Sequence, residues 1–485
     1  MRGREEGEKV GIVVISSGSR AAAVIDALCR SEEYNVRLYV VDKQRNPFNV
    51  ERAEKHIVIP DLNVVKICDF IDANKTVIDF GICCPEKPII AGIRDLVEHN
   101  TGVQMICPTK RYAIEASKAS QRYLIEECAA EANPEFKVFH HADYKSIADV
   151  KDAVWSFLDE IGNEVVVKPD KPAAGKGVGV WGDHFNSREQ LFDHFRSIFE
   201  SNSSSSGSGS DVLIEEKLEG EESSFQAFCD GKRISALPDT RDYKRAFDSD
   251  TGPNTGGMGS YKAREDWLPF LSRRDREEEE KLVERIFNEL RQKLKGNGED
   301  DGLRGIPFYV AFMHTADGVK ILEINSRPGD PEIVNIMPVL KNDLVDVCFR
   351  MVEGTLAGIK IECEKKATVV TYAVPMEYGG YRKRYSGDRR VDLSSAYGLK
   401  AKYADNLRIY PGSMELQDDG GMHSLSSRTV CTVGIGDRIE EAREISLDGI
   451  RAIDGALWNR WEIGASHHIE RSMRKMKELR GMVRK

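Results

Sequence analysis

A chain of 485 residues with a net charge of −10 has length for two to four domains and is too acidic to be a general nucleic-acid binder. It is 40% hydrophobic and 31% charged, the balance of a soluble globular protein, and no apolar run approaches the roughly eighteen residues of a membrane span. Its ten cysteines, scattered from Cys29 to Cys431 without a CxxC pair, exclude a zinc-finger spacing and a disulfide framework, and predict a reducing, cytoplasmic setting.

The first hundred residues alternate strand-like and helix-like segments. Residues 10–15 read as a buried strand, 16–20 as a small-residue turn and 21–29 as a helix. Strands are predicted at 36–41, 57–59 and 76–80, a helix at 65–71, and a last strand beginning at 105–106. Strands separated by helices imply right-handed crossovers and a parallel, Rossmann-like sheet. Ligands on such a sheet bind at the carboxyl ends of strands, which points to Gly18 and Arg20 and to Pro85 and Glu86. No GxGxxG is present, so no dinucleotide site is read here.

Beyond this domain, residues 109–130 read as helical and 165–168 as a strand feeding a glycine- and lysine-containing loop, with a return strand at Trp181. Residues 201–210, SNSSSSGSGS, form a low-complexity insertion before a strand at 212–214. Residues 276–295 carry an amphipathic helix with Leu282, Val283, Ile286, Phe287, Leu290 and Leu294 on one face. A hairpin about Asp317–Gly318 joins strands at 308–313 and 319–324. After residue 355 the strands shorten (367–374, 428–433) and a helix follows from 439 to about 454. The tail, 470–485, has seven basic and two acidic residues at helical spacing and reads as a solvated terminal helix, the alternative being an anion-binding or partner surface. The expected divisions are therefore 1–108, 109–355 with the insertion, 356–454 and a basic helical tail at 455–485.

Four segments carry chemistry. Residues 242–261, DYKRAFDSDTGPNTGGMGSY, begin with alternating charges and end with glycine at 252, 256, 257 and 259. Such a loop suits close backbone approach, and its N–H groups with adjacent Lys and Arg suit a phosphate or carboxylate. In VVVKPDKPAAGKGVG, residues 165–179, Lys168 ends a strand and Lys176 lies between two glycines; the spacing is not that of a Walker A loop but allows a flexible cover over a triphosphate. LIEEKLEGEE, residues 213–222, puts five carboxylates after an apolar strand. Backbone groups around Glu216 and Leu218 could meet a base edge there, and Glu222 could accept ribose hydroxyls. In KILEINSRPGDPE, residues 320–332, Glu323 and Asn325 share a strand face as an oxygen pair suited to Mg²⁺, and Arg327 continues that face toward a carboxylate.

Together these segments resemble the ATP-grasp superfamily and, more closely, the phosphoribosylamine–glycine ligase family, over nearly the full length. The most specific parts are GPNTGGMG (252–259), LEGEE (218–222), AAGKG (173–177) and R-x-GDPE (327–332). The resemblance implies an α/β protein with an N-terminal parallel-sheet domain, a central ATP-grasp α+β domain and a small C-terminal α+β domain. It implies ATP-driven ligation of glycine to 5-phosphoribosylamine through a glycyl phosphate, giving glycinamide ribonucleotide, ADP and phosphate in purine biosynthesis. By resemblance Lys168 and Lys176 hold phosphates, Glu216, Leu218 and Glu222 the nucleoside, and Glu323 and Asn325 Mg²⁺ or Mn²⁺. Arg327, which holds the glycine carboxylate, and Asp250 are the catalytic residues the resemblance implies, and Asp250, Thr255, Gly256 and Gly257 shape the acceptor pocket with the Gly18–Arg20 and Pro85–Glu86 segments. Partners are expected to be small molecules only, with neither nucleic acid nor membrane, on a monomer or weak homo-oligomer.

The chain departs from the family on the acceptor side. The usual first loop, GxGGREHA, reads SSGSRAAA over 16–23, keeping the arginine but placing Ala21 and Ala22 at the Glu and His positions. Cys84, Tyr243, Ser249 and Pro328 replace the usual Gly, His, Gly and Phe, and Ala311 stands where some relatives add a polar metal ligand. These departures leave open another acceptor, or a nucleotide-binding relative without turnover.

Overall fold

The computed structural model describes residues 7, 9–172, 177–201, 209–299 and 301–482. Five parallel strands open the chain: Lys9–Ile15, Asn35–Asp42, Ala53–Val58, Phe80–Cys83 and Gln104–Ile106, in spatial order 3-2-1-4-5. The first is a near-continuous apolar run whose residues after Lys9 are all buried, as a central parallel strand covered on both faces requires. It pairs with the second strand on one side and the fourth on the other, so the order reverses at its carboxyl end. The segments leaving that point are Gly18–Arg20 and Cys84–Glu86.

Three local readings shift. The fourth strand begins at Phe80 rather than at residue 76, because Val77 turns back on Asn74 and Asp79 spends its carboxylate and its N–H on Gly11 before regular pairing starts. The third strand starts at Ala53 and is an edge strand, where exposed Glu54 and Lys55 put charge that blunts further pairing. The helical stretch after residue 109 breaks into two short 3₁₀ turns before Lys118–Ala129, which Ser117 caps by accepting from the Ser120 N–H.

Two four-stranded sheets follow. One is ordered Phe136–Phe139, Val212–Glu216, Val165–Pro169, Gly179–Val180; the other Ile234–Ala236, Glu221–Cys229, Tyr309–Thr315, Gly318–Asn325. The hairpin of the last two strands is antiparallel as expected. The helix Arg273–Gly296 starts in a Ser272–Asp275 capping box and buries Leu282, Val283, Ile286, Phe287, Leu290 and Leu294 against Phe225, Phe308 and Phe312.

The last sheet is built from Ala367–Pro375, Val430–Gly436 and Leu407–Pro411, but it extends back to Gly259–Lys262 and Arg241–Asp242. The glycine-rich segment is therefore a loop between two strands of the C-terminal sheet, across the division expected at residue 355. Pairing partners far apart in sequence leave no local periodicity to read.

Asp330 ties these parts together. Its carboxylate accepts from the Tyr372 hydroxyl at 2.6 Å, pairs with Arg428 Nη2 at 3.2 Å and lies 3.9 Å from Arg20 Nε. Arg428 Nη1 also donates to the Asp330 carbonyl at 2.8 Å and to the Gly256 carbonyl. Gly18 has φ of 78°, and a Cβ there would stand 2.7 Å from Asp330 Oδ2, so both its conformation and its clearance call for glycine. Removing one member of a buried charged cluster leaves the others unpaired. Asp330→Ala is therefore expected to lower stability by about 3 kcal/mol, read as an earlier urea-unfolding midpoint followed by tryptophan fluorescence.

Candidate functional site

A cleft of about 880 Å³ opens where the two central sheets, the switch point and the glycine-rich loop meet. Strand Gly318–Asn325 presents Glu323 and Asn325 to it from one face. Asn325 Nδ2 donates to Glu323 Oε1 at 3.3 Å, and Asn325 Oδ1 accepts from Arg327 Nη2 at 3.3 Å. Burial alone would raise the Glu323 carboxyl, but Lys244, Lys118 and Lys168 around it outweigh that and hold it below its ordinary value. A half-buried carboxylate kept ionised beside an amide oxygen is a donor set that fits a hard divalent cation.

The three lysines come from three elements. Lys118 opens the helix Lys118–Ala129, and burial lowers its pKa. Lys168, on strand Val165–Pro169, donates to Glu215 Oε2 at 2.6 Å, and Lys244 donates to Glu222 Oε2 at 2.8 Å. Burial would also raise Glu215, yet Arg122 and Lys168 bring it down to about 2. Arg122 holds Glu215 bidentately at 2.7 and 3.0 Å and donates to the Ile321 and Leu322 carbonyls, joining the two central sheets. Glu216, Leu218 and Glu222 line the same cleft. Lys176, with the neighbouring 173–175, lies outside the described residues.

At the switch point Arg327 lies 3.4 Å from Glu115 Oε1 and 3.7 Å from Glu86 Oε2, and Arg20 reaches Glu86 at 3.4 Å. Burial works against ionisation of Glu86, but the two arginines hold it at about 2. Glu115, more deeply enclosed, is raised by burial despite Arg327. Arg20 also donates to the Pro328 carbonyl at 2.8 Å, so the N-terminal loop is fastened to the chain just after Arg327. Pro85 stands at the N-cap position of the helix beginning at Glu86, and neither it nor Gly18 lines the cleft.

The glycine-rich loop is not an anion cradle here. The N–H groups of residues 255–258 all bond within the protein: Thr255 to the Lys244 carbonyl, Gly256 to the Tyr378 hydroxyl, Gly257 to Thr255 Oγ1 and Met258 to the Tyr243 carbonyl. Gly257 has φ of 103°, and a Cβ there would meet Asp242 Oδ1 at 2.6 Å. The loop's glycines thus serve close packing, while Thr255 and Gly256 border the cleft. Ser249 and Asp250 both hold positive φ, 58° and 52°, a conformation that costs about 1–2 kcal/mol for a residue with a Cβ.

What holds Asp250 is the C-terminal helix, Ser466–Met482. Asp250 Oδ2 meets His468 Nε2 at 2.9 Å and Arg471 Nη2 at 2.6 Å, while Oδ1 meets Arg460 Nη2 at 2.7 Å. Burial opposes its ionisation, but these partners hold the carboxyl far below its ordinary value. The tail is therefore not a solvated helix. Ile469, Ser472 and Met476 are buried, because their spacing forms an inward face, and Arg471 and Lys475 reach the cleft, where Lys475 Nζ donates to the Gly220 carbonyl at 2.8 Å.

Comparisons with known proteins agree with this arrangement. The phosphoribosylglycinamide synthetase N domain matches residues 10–115, and the ATP-grasp (A) domain of the same family matches 135–333. Phosphoribosylamine–glycine ligase of Methanocella arvoryzae is 35% identical over 474 residues, covering 97% of this chain and 100% of that one. The chain belongs to the phosphoribosylamine–glycine ligase family. The Methanopyrus kandleri member is 34% identical over 97% of this chain and 99% of its own. Among solved structures, the Thermotoga maritima ligase superposes with a TM-score of 0.71 at 22% identity, covering 94% of this chain and all (100%) of that one. The biotin carboxylase domain of Hydrogenobacter thermophilus 2-oxoglutarate carboxylase, in complex with MgADP, shares the fold at TM-score 0.65 and 15% identity, covering 98% and 94%.

Several lining residues escape the sequence reading. Glu115 carries no local signal beyond its charge, and Asp330, although inside the R-x-GDPE motif, shows nothing in the sequence of its partners Arg20, Tyr372 and Arg428. Arg428 lies in a short Ser-Arg-Thr run at 427–429, outside the four segments that carry the chemistry. Arg471 and Lys475 were masked by the overall basic tail, in which nothing marks the two that turn inward. If the tail helix holds the loop, His468→Ala with Arg471→Ala should speed amide hydrogen exchange at residues 249–257 about tenfold or more, with the strands of the N-terminal sheet unaffected.

Proposed function

We propose that this cleft joins glycine to 5-phosphoribosylamine at the expense of ATP, through a glycyl phosphate, releasing glycinamide ribonucleotide, ADP and phosphate. One observation carries the reading. Glu323 and Asn325 share a strand face ringed by Lys118, Lys168 and Lys244, and Arg327 follows on the same side of the cleft.

A carboxylate is a poor acyl donor until it is phosphorylated, so the protein's task is to bring anions together and neutralise them. Lys118, Lys168 and Lys244 suit the phosphate oxygens, which can compete for them with Glu215 and Glu222. Glu323 and Asn325 would hold Mg²⁺, with Mn²⁺ as the alternative; when bound, the ion supplies charge neutralisation at the phosphates. Glu216, Leu218 and Glu222 suit the nucleoside, and Lys176 is proposed as a further phosphate contact. Arg327 suits the glycine carboxylate. Arg20, Glu86 and the Gly18 and Pro85 turns suit the phosphoribosyl acceptor, with Thr255, Gly256 and Gly257 closing the far wall. Asp250 acts here as the anchor of the tail helix rather than as an acid or base, since both its oxygens are engaged. With all ten cysteines unpaired, a cytoplasmic location fits, and among the described residues no helix is long and apolar enough to cross a membrane.

The substitutions in the first loop do not favour another acceptor. Ala21 and Ala22 are fully buried in the helix Ser19–Cys29, packed in the core, and do not line the cleft. ADP release should require glycine and freshly made phosphoribosylamine together; release with glycine and a different amine alone would sink this reading. Glu323→Ala is expected to reduce metal-dependent kcat about a thousandfold, the scale of one key electrostatic contact, with circular dichroism unchanged. Arg327→Ala should raise the KM for glycine at least about tenfold, and an unaltered glycine dependence would count against its role.

A further inference from the structure

One buried polar cluster lies behind the cleft and has no part in the chemistry assigned so far. On the helix Arg273–Gly296, Arg276 and Glu279 are one turn apart and face the strand Glu221–Cys229. The Ser223 hydroxyl donates to Glu279 Oε1, and His314 Nε2, on the neighbouring strand Tyr309–Thr315, lies 2.9 Å from each of these two atoms. The Arg276 guanidinium stands 4.4 Å over the ring of Phe225 and donates to Asp239 Oδ1. Ser223, Asp239, Arg276, Glu279 and His314 are all buried, Asp239 and Glu279 at 0% exposure. Ser223, His314 and Glu279 have the residue types of a nucleophilic triad, yet none of them lines the cleft, so the hydroxyl meets no substrate.

A shared proton closes the cluster. Asp239 and Glu279 hydrogen-bond one another, and the oxygens left for that bond, Asp239 Oδ2 and Glu279 Oε2, have no other hydrogen-bond partner. Two carboxyl oxygens can meet in this way only with a proton between them. Burial raises both groups, Glu279 to about 7, and Arg276 offsets the one charge that remains. Burial also lowers His314 to about 4, which keeps the imidazole neutral. A buried network whose charges are matched in this way resists displacement, because moving one member strips another of its partner.

That resistance acts on the nucleoside side of the cleft. Side chains alternate along a strand, so Ser223 and Phe225 face the helix while Glu222, one residue before Ser223, faces the cleft. His314 likewise turns away from the cleft, and Met313 beside it lines the cleft and pairs with Glu222 across the ladder. We propose that Glu279 is a positioning residue for the nucleoside. Through Ser223 and His314 it fixes the two strands that present Glu222 and Met313, and so sets the contact between Glu222 and the ribose. The inference rests on the assignment of Glu222 to the nucleoside. Asp239 and Arg276 serve the same end by holding Glu279 and by pinning Phe225, two residues along the strand from Ser223.

The test compares ATP with 2′-deoxy-ATP and 3′-deoxy-ATP, each lacking one hydroxyl that Glu222 can accept from. Titration calorimetry with Mg²⁺ present gives the three affinities without requiring turnover. The wild type is expected to bind at least one analogue about tenfold or more weakly than ATP. In Ser223→Ala and in Glu279→Met that contrast should fall below about threefold through weaker ATP binding, while the KM for glycine stays within about threefold. Glu279→Gln, whose amide can donate to Asp239 and accept from Ser223, should restore most of the contrast. An unchanged contrast in both variants, equal losses for ATP and both analogues, or a Glu279→Gln protein as impaired as Glu279→Met would overturn the proposal. Should circular dichroism show that Glu279→Met does not fold, Ser223→Ala decides alone, since it removes a single hydroxyl. A wild type that binds all three nucleotides alike would refute the Glu222 assignment and this proposal together. Absence of ADP release with glycine and phosphoribosylamine would remove the ligase reading only, and the calorimetric contrast would still decide the role of Glu279.

Discussion

The arrangement of the cleft depends on one buried carboxylate, Asp330. Placing a charge in the interior is unfavourable unless its partners are present together, and these partners come from distant parts of the chain. Arg20 belongs to the N-terminal sheet's first crossover, Tyr372 to a central strand of the C-terminal sheet and Arg428 to the turn leading into another. Arg428 also takes carbonyls of the glycine-rich loop, so satisfying Asp330 and fixing that loop are one event. The cluster links the three sheet systems around the place where a substrate must sit.

The same logic runs through the cleft. Its cations are held before any anion arrives: Lys168 on Glu215, Lys244 on Glu222, Arg327 between Glu115 and Glu86. Such pairs keep long side chains ordered, and in a cleft screened from bulk water their field is stronger than at an open surface. An anion entering the cleft would meet cations already paired at 2.6 and 2.8 Å, so its binding would be an exchange of partners. Through such an exchange Glu215 keeps Arg122 as a partner, so its charge is not left bare. The C-terminal helix extends the scheme by holding Asp250 with Arg471 and the Gly220 carbonyl with Lys475, so that one element braces both the glycine-rich loop and the acidic turn.

Much of the N-terminal sheet was legible because buried parallel strands are continuous apolar runs and their crossovers have helical periodicity. The amphipathic face of Arg273–Gly296 was legible for the same reason, its six apolar residues recurring at the helix repeat. The strand at Phe80–Cys83 was placed four residues early because Thr76–Asp79 is just as β-prone, and only its contacts with Gly11 show it to be a turn. The glycine-rich loop was recognised as important, yet the first physical reading, an anion cradle, differs from what its N–H groups do.

By itself the sequence determined the class of fold, the order of the elements and the short-range groupings: the Glu323–Asn325 pair, the acidic turn and Arg327. Each lies within one strand or turn, where the repeat of 2 for a strand decides which side chains share a face. The tertiary structure decided which distant charges meet. That Glu215 receives both Arg122 and Lys168, that Asp330 gathers Arg20 and Arg428, and that a basic tail turns Arg471 and Lys475 inward are contacts between residues tens to hundreds of positions apart. No local periodicity encodes such meetings, because they follow from how sheets stack and where burial forces each charge to find a partner.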